Sequence, residues 1–394
     1  MKRIFVVPLA ILLLIILIFG GCAKPAPAPT PTPAPTPTPT PAPTPAEKEW
    51  VPPVPGMKQG EEDKYFNWTY ASPTRKSVPP PPFELSGREA FFIELEKRTG
   101  GRFKVKIAWS GTAGGERELP SLVGAGVVEI AHVPTTLHSA EFALLNMNDN
   151  YGWHTGDLEM DDKLAEYIHT HPLAQANLEK LNLVYGWTGT TRNSNMIARK
   201  GVKRIEKVED FAGLQFGTAG YRTLWAKALG MTPVTLPTPE FYEAMQKGML
   251  DMVPVNPVTA YKSFRLHEVA EYIIDVPLGT FCSLGIINKD KWNSLPQYIK
   301  DLWRELGPTY TLEYERKIME AEWAPAMEIW EPIGMYKLAP EEEDKVMAAM
   351  SVIWEAWLAE QEGFPAGKRV REFLKDQIAF RDKLTGKPWT IIAP

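Results

Sequence analysis

Residues 86–109, SGREAFFIELEKRTGGRFKVKIAW, decide the fold class, because within them a helix pattern passes directly into a strand pattern. Ser86, with Glu89 three residues later, is typical of a capping box, and the Gly-Gly pair predicts the end of that helix. From Phe103 to Trp109 apolar residues alternate with lysine or alanine, which predicts a half-buried strand. The stretch is therefore an α-β unit.

The alternation of strands and helices continues on both sides of this unit. A strand is predicted at 66–71 before it, and a short helix at 116–123 with an apolar strand at 127–133 follows it. A β-α-β-α-β order of this kind is typical of an open sheet with helices on its faces.

A second run of the same kind begins near Val184. It is predicted to contain a helix with Thr238 as its cap and Pro239 at its first position, extending through Met249. Its strands are predicted at 195–198, 214–217 and 252–255.

The chain is then predicted to return to the first lobe through an apolar strand at 283–288. The remainder has helical patterns, with a break at Pro308 and a further helix at 340–362. Two α/β lobes joined by crossing segments predict a clamshell with a ligand cleft between the lobes and long C-terminal helices. The predicted body is 57–394, with one lobe at about 65–186 plus about 278–307 and the other at about 187–277 plus part of 308–394.

The N-terminus has the pattern of a bacterial lipoprotein. Lys2 and Arg3 precede an apolar run at 4–19, and two glycines then lead to Cys22. This pattern predicts a signal peptide at 1–21, a lipid anchor on Cys22 and a disordered Pro/Thr/Ala-rich linker at 22–56. An uncleaved anchor helix and a Pro-rich ligand for a recognition domain are the alternatives. Either form of anchor places the body outside the cytoplasm.

The composition argues against several classes of function. The formal net charge of −5 disfavours nucleic acid as a partner. The sequence contains no phosphate-binding or dinucleotide-binding glycine motif and no nucleophile elbow, so we expect no cofactor and no enzymatic activity. Cys282 lies in an apolar stretch and is expected to be a buried structural thiol. His169 and His171 are two residues apart, a spacing that does not bring helical ligands together, so no metal site is expected there.

Arg192, at the end of Gly189-Thr190-Thr191-Arg192, is the first candidate for ligand recognition. It follows an apolar strand at the predicted entrance to the second lobe, where a guanidinium can grip a carboxylate through two parallel hydrogen bonds.

Seven segments in order then resemble the solute-binding proteins of TRAP (tripartite ATP-independent periplasmic) transporters. The segments are 100–105, 111–119, 189–192, 208–214, 241–248, Asp251 with Asn256-Pro257, and 287–296. The resemblance implies a type II periplasmic-binding-protein-like clamshell that captures a small organic anion. It also implies membrane permease subunits as partners, in addition to the membrane that holds the lipid anchor.

The resemblance also implies the site residues. Arg192 would anchor the carboxylate and Asn256 would be a polar contact. The strand that usually ends in a second arginine has Gly217 at that position, and Arg222 is the candidate substitute. Trp68 and Tyr221 are candidate aromatic contacts.

Three other functions stay open at this stage. The missing arginine at Gly217 leaves room for a binding protein that carries a non-carboxylate solute to an ATP-driven (ABC-type) importer. A sensor built on the same clamshell is the second, and an anchored enzyme is the third.

Overall fold

The computed structural model describes residues 50–76, 78–80, 82–138, 140–218, 222–276, 278–280 and 282–390. The predicted signal peptide, Cys22 and most of the predicted linker lie outside the described residues. The described residues belong to one compact unit that begins at Trp50. No helix within these ranges is long and apolar enough to cross a membrane.

The strands alternate with helices along the chain, as the sequence pattern predicts. They are β1 Phe66–Ala71, β2 Phe103–Ala108, β3 Ile130–Pro134, β4 Leu183–Gly189, β5 Asn195–Arg199, β6 Gln215–Thr218, β7 Thr232–Thr235, β8 Met252–Val255, β9 Ala270–Ile274, β10 Ser283–Asn288 and β11 Met335–Tyr336.

The α-helices are α1 Gly87–Arg98, α2 Leu119–Gly124, α3 Leu158–Thr170, α4 Pro172–Lys180, α5 Arg222–Ala228, α6 Phe241–Gln246, α7 Pro257–Lys262, α8 Lys289–Ser294, α9 Gln297–Gly307, α10 Glu315–Ile333, α11 Pro340–Glu362 and α12 Val370–Thr385. Short 3₁₀ turns cover Thr135–His138, Leu145–Asp149, Val208–Phe211, Thr238–Glu240, Leu266–Glu268 and Pro365–Gly367, and a π-helical segment covers Pro308–Tyr314.

The strands form two sheets, which define the two lobes. The first sheet has the order β2-β1-β3-β10-β4, and the second has the order β11-β9-β5-β8-β6-β7. In the first sheet β1 pairs in parallel with β2 and β3, whereas β10 runs antiparallel to both β3 and β4. Strand β10 therefore returns the chain to the first lobe after β5 to β9 of the second sheet, and β11 later adds the edge strand of that sheet beside β9. This arrangement confirms the predicted two-lobed α/β fold with helical C-terminal segments.

Each lobe has its own apolar core. In the first lobe, Trp303 of α9 packs edge-on against Phe91 of α1 and Phe103 of β2, with ring centroids 4.9 and 6.1 Å apart. In the second lobe, buried Phe216 and Trp225 belong to a cluster that also contains residues of α11. Burying aromatic side chains of this size stabilises each lobe through the large apolar area removed from water.

The capping box at the start of α1 is confirmed. The Ser86 amide donates to the Glu89 carboxylate at 3.2 Å, and the Glu89 amide donates to the Ser86 hydroxyl at 3.3 Å. These bonds satisfy amide groups that the first turn of a helix leaves without partners.

Three helix boundaries differ from the prediction. Helix α2 begins at Leu119, and the helix predicted from Thr238 is a 3₁₀ turn that contains Pro239, followed by α6, which ends at Gln246. The break predicted at Pro308 is wrong, because the chain continues as a π-helical segment directly into α10. Proline removes an amide donor, and the wider π turn accommodates that loss within a continuous helical path.

Candidate functional site

Buried polar residues gather at the carboxyl ends of the parallel strands. Ser72 follows β1 and Thr135 follows β3 in the first sheet, whereas Thr218 ends β6 and Asn256 follows β8 in the second. All four are buried. Ligands of open α/β sheets bind outside the carboxyl ends of the strands. We therefore take this region, the junction edge, as the candidate site.

Arg222, the first residue of α5, is a buried cation of the second lobe at the junction edge. Its Nη1 donates to the carbonyl oxygen of Pro254 in β8 at 3.3 Å, and its guanidinium lies 5.0 Å from the Trp225 ring. Burial lowers the pKa of Arg222, and the charge of Asp149 opposes that shift. A buried cation of the second lobe thus faces a buried carboxyl group that is bonded to the first sheet.

Asp149 is fully buried and is held by two hydrogen bonds from the first lobe. The Thr135 hydroxyl donates to its Oδ2 at 2.9 Å, and the Cys282 amide donates to its Oδ1 at 3.4 Å. Burial raises the pKa of Asp149 from 3.8 to about 6, even though the charge of Arg222 lowers it. This carboxyl group is therefore ionised at neutral pH and becomes protonated in mildly acidic solution.

A second set of bonds surrounds His154 beside Asp149. The ring Nε2 lies 2.6 Å from the Asn148 carbonyl oxygen and 2.7 Å from the Thr280 hydroxyl, and Nδ1 lies 3.5 Å from Asp161. Burial raises the pKa of the nearby Cys282 thiol well above its usual value. Cys282 is thus the buried thiol that the sequence predicts.

Arg88, the second residue of α1, was not among the residues predicted for the site. Its Nε is buried without a hydrogen-bond partner among the residues that the structure describes, while the side chain as a whole keeps intermediate exposure. Arg88 lowers the pKa values of Tyr70 in β1 and His132 in β3 through its charge, although burial is the larger influence on both. Tyr70 is fully buried and His132 is 8% exposed.

The sequence does contain a signal for this group. Tyr70 and His132 lie near the carboxyl ends of two predicted strands, which is where ligand-contacting side chains of an open sheet are expected. Arg88, in contrast, lies in the first turn of a helix, where an arginine is usually an exposed surface residue.

Arg192 lies against α10 instead of beside Arg222. Its guanidinium carbon is 4.4 Å from the centre of the Trp323 ring, a cation–π contact. Burial lowers the pKa of Arg192, and the charge of Glu320, also on α10, opposes that shift. The backbone on either side of Arg192 is fixed, because Thr190 donates to Asp162 and the Ser194 amide donates to the Gly279 carbonyl at 2.9 Å.

Asn256 and Gly217 are placed by the second sheet. Asn256 is the N-cap of α7, where its Oδ1 accepts from the Thr259 amide at 2.9 Å and its Nδ2 donates to the Thr259 hydroxyl at 2.8 Å. A Cβ at Gly217 would lie 2.6 Å from Leu250 and 3.2 Å from Phe241. The Cβ of any larger residue at position 217 would therefore point into the apolar core of the second lobe.

The two aromatic candidates have different outcomes. Trp68 is 4% exposed and packs edge-on against Phe103 at 4.9 Å, within the core of the first lobe. Tyr221 lies outside the described residues. The structure thus brings Arg222 together with Asp149, places Arg192 on α10, and leaves Trp68 in a core position.

His169 and His171 each make a local hydrogen bond. His169 is buried in α3 with its Nδ1 2.9 Å from the Thr188 hydroxyl, and His171 accepts from the Leu173 amide as the N-cap of α4. Within the described ranges, no group of three or more histidine, cysteine, aspartate or glutamate side chains is arranged to hold a metal ion.

Two surface cavities are lined by other residues. The larger, about 440 Å³, lies beside Tyr261, Lys262 and Glu268 of the second lobe. The smaller, about 370 Å³, lies beside Trp292 and Trp303 of the first lobe. Neither lining includes Arg88, Arg192 or Arg222.

The chain is similar to known proteins over most of its length. Residues 82–361 match the family described as bacterial extracellular solute-binding protein, family 7. A Nostoc sp. monocarboxylate 2-oxoacid-binding periplasmic protein is 23% identical over 333 residues, which cover 74% of this chain and 84% of that protein.

Solved structures show the same fold. A Bordetella pertussis extracytoplasmic solute receptor binding pyroglutamic acid has a TM-score of 0.65 and 18% identity, covering 78% of this chain and 98% of that chain. A Desulfovibrio salexigens TRAP periplasmic solute-binding protein with bound orotic acid has a TM-score of 0.66 and 18% identity, covering 81% of this chain and 99% of that chain. The chain therefore belongs to family 7 of the bacterial extracellular solute-binding proteins, a family of solute receptors and not of enzymes.

Proposed function

We propose that this receptor captures a small organic anion with a carboxylate group at the junction edge and delivers it to the membrane permease subunits of a TRAP transporter. The observation that carries the proposal is the presence of three arginines, Arg88, Arg192 and Arg222, around the carboxyl ends of the strands. A guanidinium offers five donors in a fixed fork that matches a carboxylate.

Burial at the junction edge favours an anionic ligand over a neutral one. Removing an arginine from water costs free energy, and a ligand carboxylate restores the lost hydrogen bonds in surroundings where charges interact more strongly than in water. His132 and Thr218 add buried polar atoms that have no hydrogen-bond partner within the described part of the chain. Buried donors without partners are rare in folded proteins, and a bound ligand is one explanation for them.

Closure of the two lobes would complete the site. In this proposal the first lobe spans about 65–186 plus about 278–307, and the second about 187–277 plus part of 308–394. The ligand would bind between the sheets, and hinge motion in the crossing segments would then exclude water around the arginines. The closed form would present the surface that the permease subunits recognise.

The names of similar proteins support an acid as the solute. The Nostoc protein is described as binding a monocarboxylate 2-oxoacid, and the two similar solved structures are described with pyroglutamic acid and orotic acid. Another solved structure in the same fold, from Pseudomonas putida, is described with bound D-glucuronate. These ligands share a carboxylate and differ in the rest of the molecule.

A binding screen tests this proposal directly. The purified protein is titrated with an acid panel of pyruvate, pyroglutamate, orotate and D-glucuronate, and with the amide of each acid as a neutral control. A ligand at a hundred times its dissociation constant adds about 2.7 kcal/mol to the free energy of unfolding. We expect at least one acid to stabilise the protein more than its amide. Binding of neutral or cationic solutes alone would contradict the proposal and favour the ABC-type importer alternative.

We also propose that a lipid on Cys22 anchors the receptor to the membrane, as the N-terminal sequence indicates. Mass spectrometry of the N-terminal peptide from the producing cell is expected to show an acylated Cys22, and Cys22→Ala is expected to release the protein from the membrane fraction. An unmodified Cys22 in a membrane-bound protein would instead support the uncleaved anchor helix.

A further inference from the structure

The three arginines of the junction edge differ in how far their charges are already engaged. Arg222 is buried opposite Asp149 and donates to the Pro254 carbonyl. The guanidinium of Arg192 lies over the Trp323 ring, and Glu320 is nearby. Arg222 is thus close to a buried acid, whereas Arg192 has a ring beside it and, like Arg88, a buried Nε without a hydrogen-bond partner in the described ranges.

Arg88 is beside two acids, but each of them is bonded to another group. One oxygen of Glu89 pairs with Lys76 at 2.9 Å, and its second oxygen accepts from the Ser86 amide and hydroxyl. Glu315 accepts from the Gly87 amide at 2.9 Å. The charges of these two acids raise the pKa of Arg88 in opposition to burial, so its guanidinium stays charged.

The surroundings of Arg88 hold further groups suited to an oxyanion. His132 has a buried Nδ1 without a hydrogen-bond partner in the described ranges, and the Tyr70 hydroxyl is also buried. The Tyr70 ring packs 5.4 Å from the ring of Phe92, one turn after Arg88 in α1. The charge of Arg88 lowers the pKa values of Tyr70 and His132 against the larger influence of burial. Tyr70 is the fifth of the six residues of β1 and His132 the third of the five residues of β3, and the pairing of Tyr70 with Ile130 places both side chains on one face of the first sheet. Three polar side chains from three elements therefore converge where a ligand of an open sheet binds.

The start of α1 is held rigidly enough to place Arg88. The capping box fixes the first turn, and a Cβ at Gly87 would lie 2.1 Å from the Tyr310 carbonyl oxygen. Helix α1 therefore packs directly on the π-helical segment, and the backbone that carries Arg88 has little freedom. Preorganised groups of this kind bind with a smaller loss of conformational freedom.

We infer that Arg88, together with His132 and Tyr70, is the main anchor for the ligand's anionic group in this protein. The inference rests on the proposed function and makes it more specific. In this arrangement the guanidinium grips the oxyanion, and His132 and Tyr70 contribute neutral hydrogen bonds from the first sheet. Arg222 then acts as a structural charge between the lobes, and Arg192 contributes to the opposite side of the site.

The test compares acid and amide binding in matched arginine variants. Arg88→Gln, Arg192→Gln and Arg222→Gln are titrated calorimetrically with each acid of the panel and with its amide. Arg98→Gln is the control, because Arg98 lies at the other end of α1, is exposed, and pairs with Glu94 and Glu305. We expect Arg88→Gln to weaken acid binding tenfold or more and to lose most of the preference for the acid over its amide.

The possible outcomes separate this inference from the proposed function. If the wild-type protein binds a panel acid and Arg88→Gln binds it within twofold of the wild type, Arg88 is not the anchor, although the proposed function stands. If Arg192→Gln alone abolishes the acid preference, the anchor is Arg192. If the wild-type protein binds no panel acid, both proposals fail.

A conservative variant separates the effect of the charge at position 88 from an effect on the fold. Arg88→Lys keeps the charge but loses the planar fork, so we expect an affinity between those of the wild type and Arg88→Gln with the acid preference partly kept. Circular dichroism and urea unfolding of each variant show whether the fold is intact. Equal affinity of the lysine and glutamine variants would overturn the anchoring role of the charge.

Discussion

Arg222 and Arg88 occupy the same edge of the two-lobed fold, but their surroundings differ in charge balance. Arg222 is buried, and Asp149, an acid of the other lobe, faces it. Arg88 keeps intermediate exposure, and its two acidic neighbours bond other groups. A buried and balanced charge is suited to holding two lobes in register, whereas a charge with free donors is suited to binding a ligand.

This difference shows that an arginine can lie near a cleft without being a ligand contact. The cost of burying Arg222 is met by protein groups before any ligand arrives, so a ligand carboxylate would have to compete with Asp149. Arg88 also has two acids nearby, Glu89 and Glu315, but both accept hydrogen bonds from other groups, and its Nε has no hydrogen-bond partner among the described residues.

Replacing Arg222 by methionine should destabilise the protein strongly. The change leaves Asp149 buried without its cation and removes the bond to the Pro254 carbonyl. Breaking a buried ion pair in direct contact costs about 3–5 kcal/mol of unfolding free energy. We expect a loss at or below the lower end of this range, because Arg222 acts on Asp149 through its charge at a distance and not through a direct salt bridge. Urea unfolding at pH 7.5 measures the loss. The loss should be smaller near pH 5, where Asp149 can take up a proton.

A matched variant shows whether the charge pair is the cause. In Asp149→Leu with Arg222→Met both charges are absent, and part of the stability should return because no buried charge is left alone. A cost below about 1 kcal/mol for Arg222→Met at pH 7.5 would contradict the assignment of Arg222 as a structural charge.

Asp149 should give the protein a pH dependence that Asp149→Asn lacks. Its pKa rises from 3.8 to about 6 on folding. The folded protein therefore binds this proton more tightly than the unfolded chain does. The stability that it contributes is present below about pH 4 and is lost as the pH rises through about 6. The rise in pKa from 3.8 to about 6, at about 1.36 kcal/mol for each pKa unit, corresponds to a change of about 3 kcal/mol in the unfolding free energy.

The measurement is the difference in unfolding free energy between the wild type and Asp149→Asn from pH 4 to pH 8. Taking the difference cancels the titration of the other carboxyl groups. The wild type should lose stability relative to the variant as the pH rises. A difference that stays constant over this range would show that Asp149 has an ordinary pKa in the folded protein.

The helical cap beside Arg88 should have a moderate effect. Ser86→Ala removes the hydroxyl that accepts from the Glu89 amide and contacts the Glu89 carboxylate. Loss of an N-cap side chain costs about 1 kcal/mol, within a range of about 0.5–2 kcal/mol. Ser86→Asp is the control, because aspartate is also a good N-cap and should restore most of the stability. Equal stability of the alanine variant and the wild type would mean that the capping box is not formed.

The sequence predicts the fold better than the site, and the reason is physical. The alternation at 103–109, the capping box at Ser86 and the apolar strand at 283–288 are local patterns, and each corresponds to an observed element. The break predicted at Pro308 is wrong, because the packing of α1 against the π-helical segment decides the path of the chain there. Local sequence patterns reflect hydrogen bonding and burial within a single helix or strand, so they predict elements but not the contacts between elements.

The candidate site depends on contacts between elements that are distant in sequence. Arg88 and His132 are brought together only when α1 packs beside β3, and Asp149 meets Arg222 only when the two lobes are in place. A single sequence contains no measure of these distances. The sequence did indicate Arg222, through its position after the strand that ends at Thr218. It gave no reason to prefer Arg88 over other helix-start arginines.

The variant with the smallest expected effect on stability, Arg88→Gln, gives the sharpest test of the comparison between Arg88 and Arg222. Arg88→Gln should change the unfolding free energy by no more than about 1 kcal/mol, because within the described structure its Nε has no partner to lose. The same urea unfolding series used for Arg222→Met measures this change. If Arg88→Gln is instead as destabilising as Arg222→Met, Arg88 is also a structural charge, and its neighbours Glu89 and Glu315 must depend on it. A stable variant that has lost its preference for acids would show that the two arginines divide stability and recognition between them.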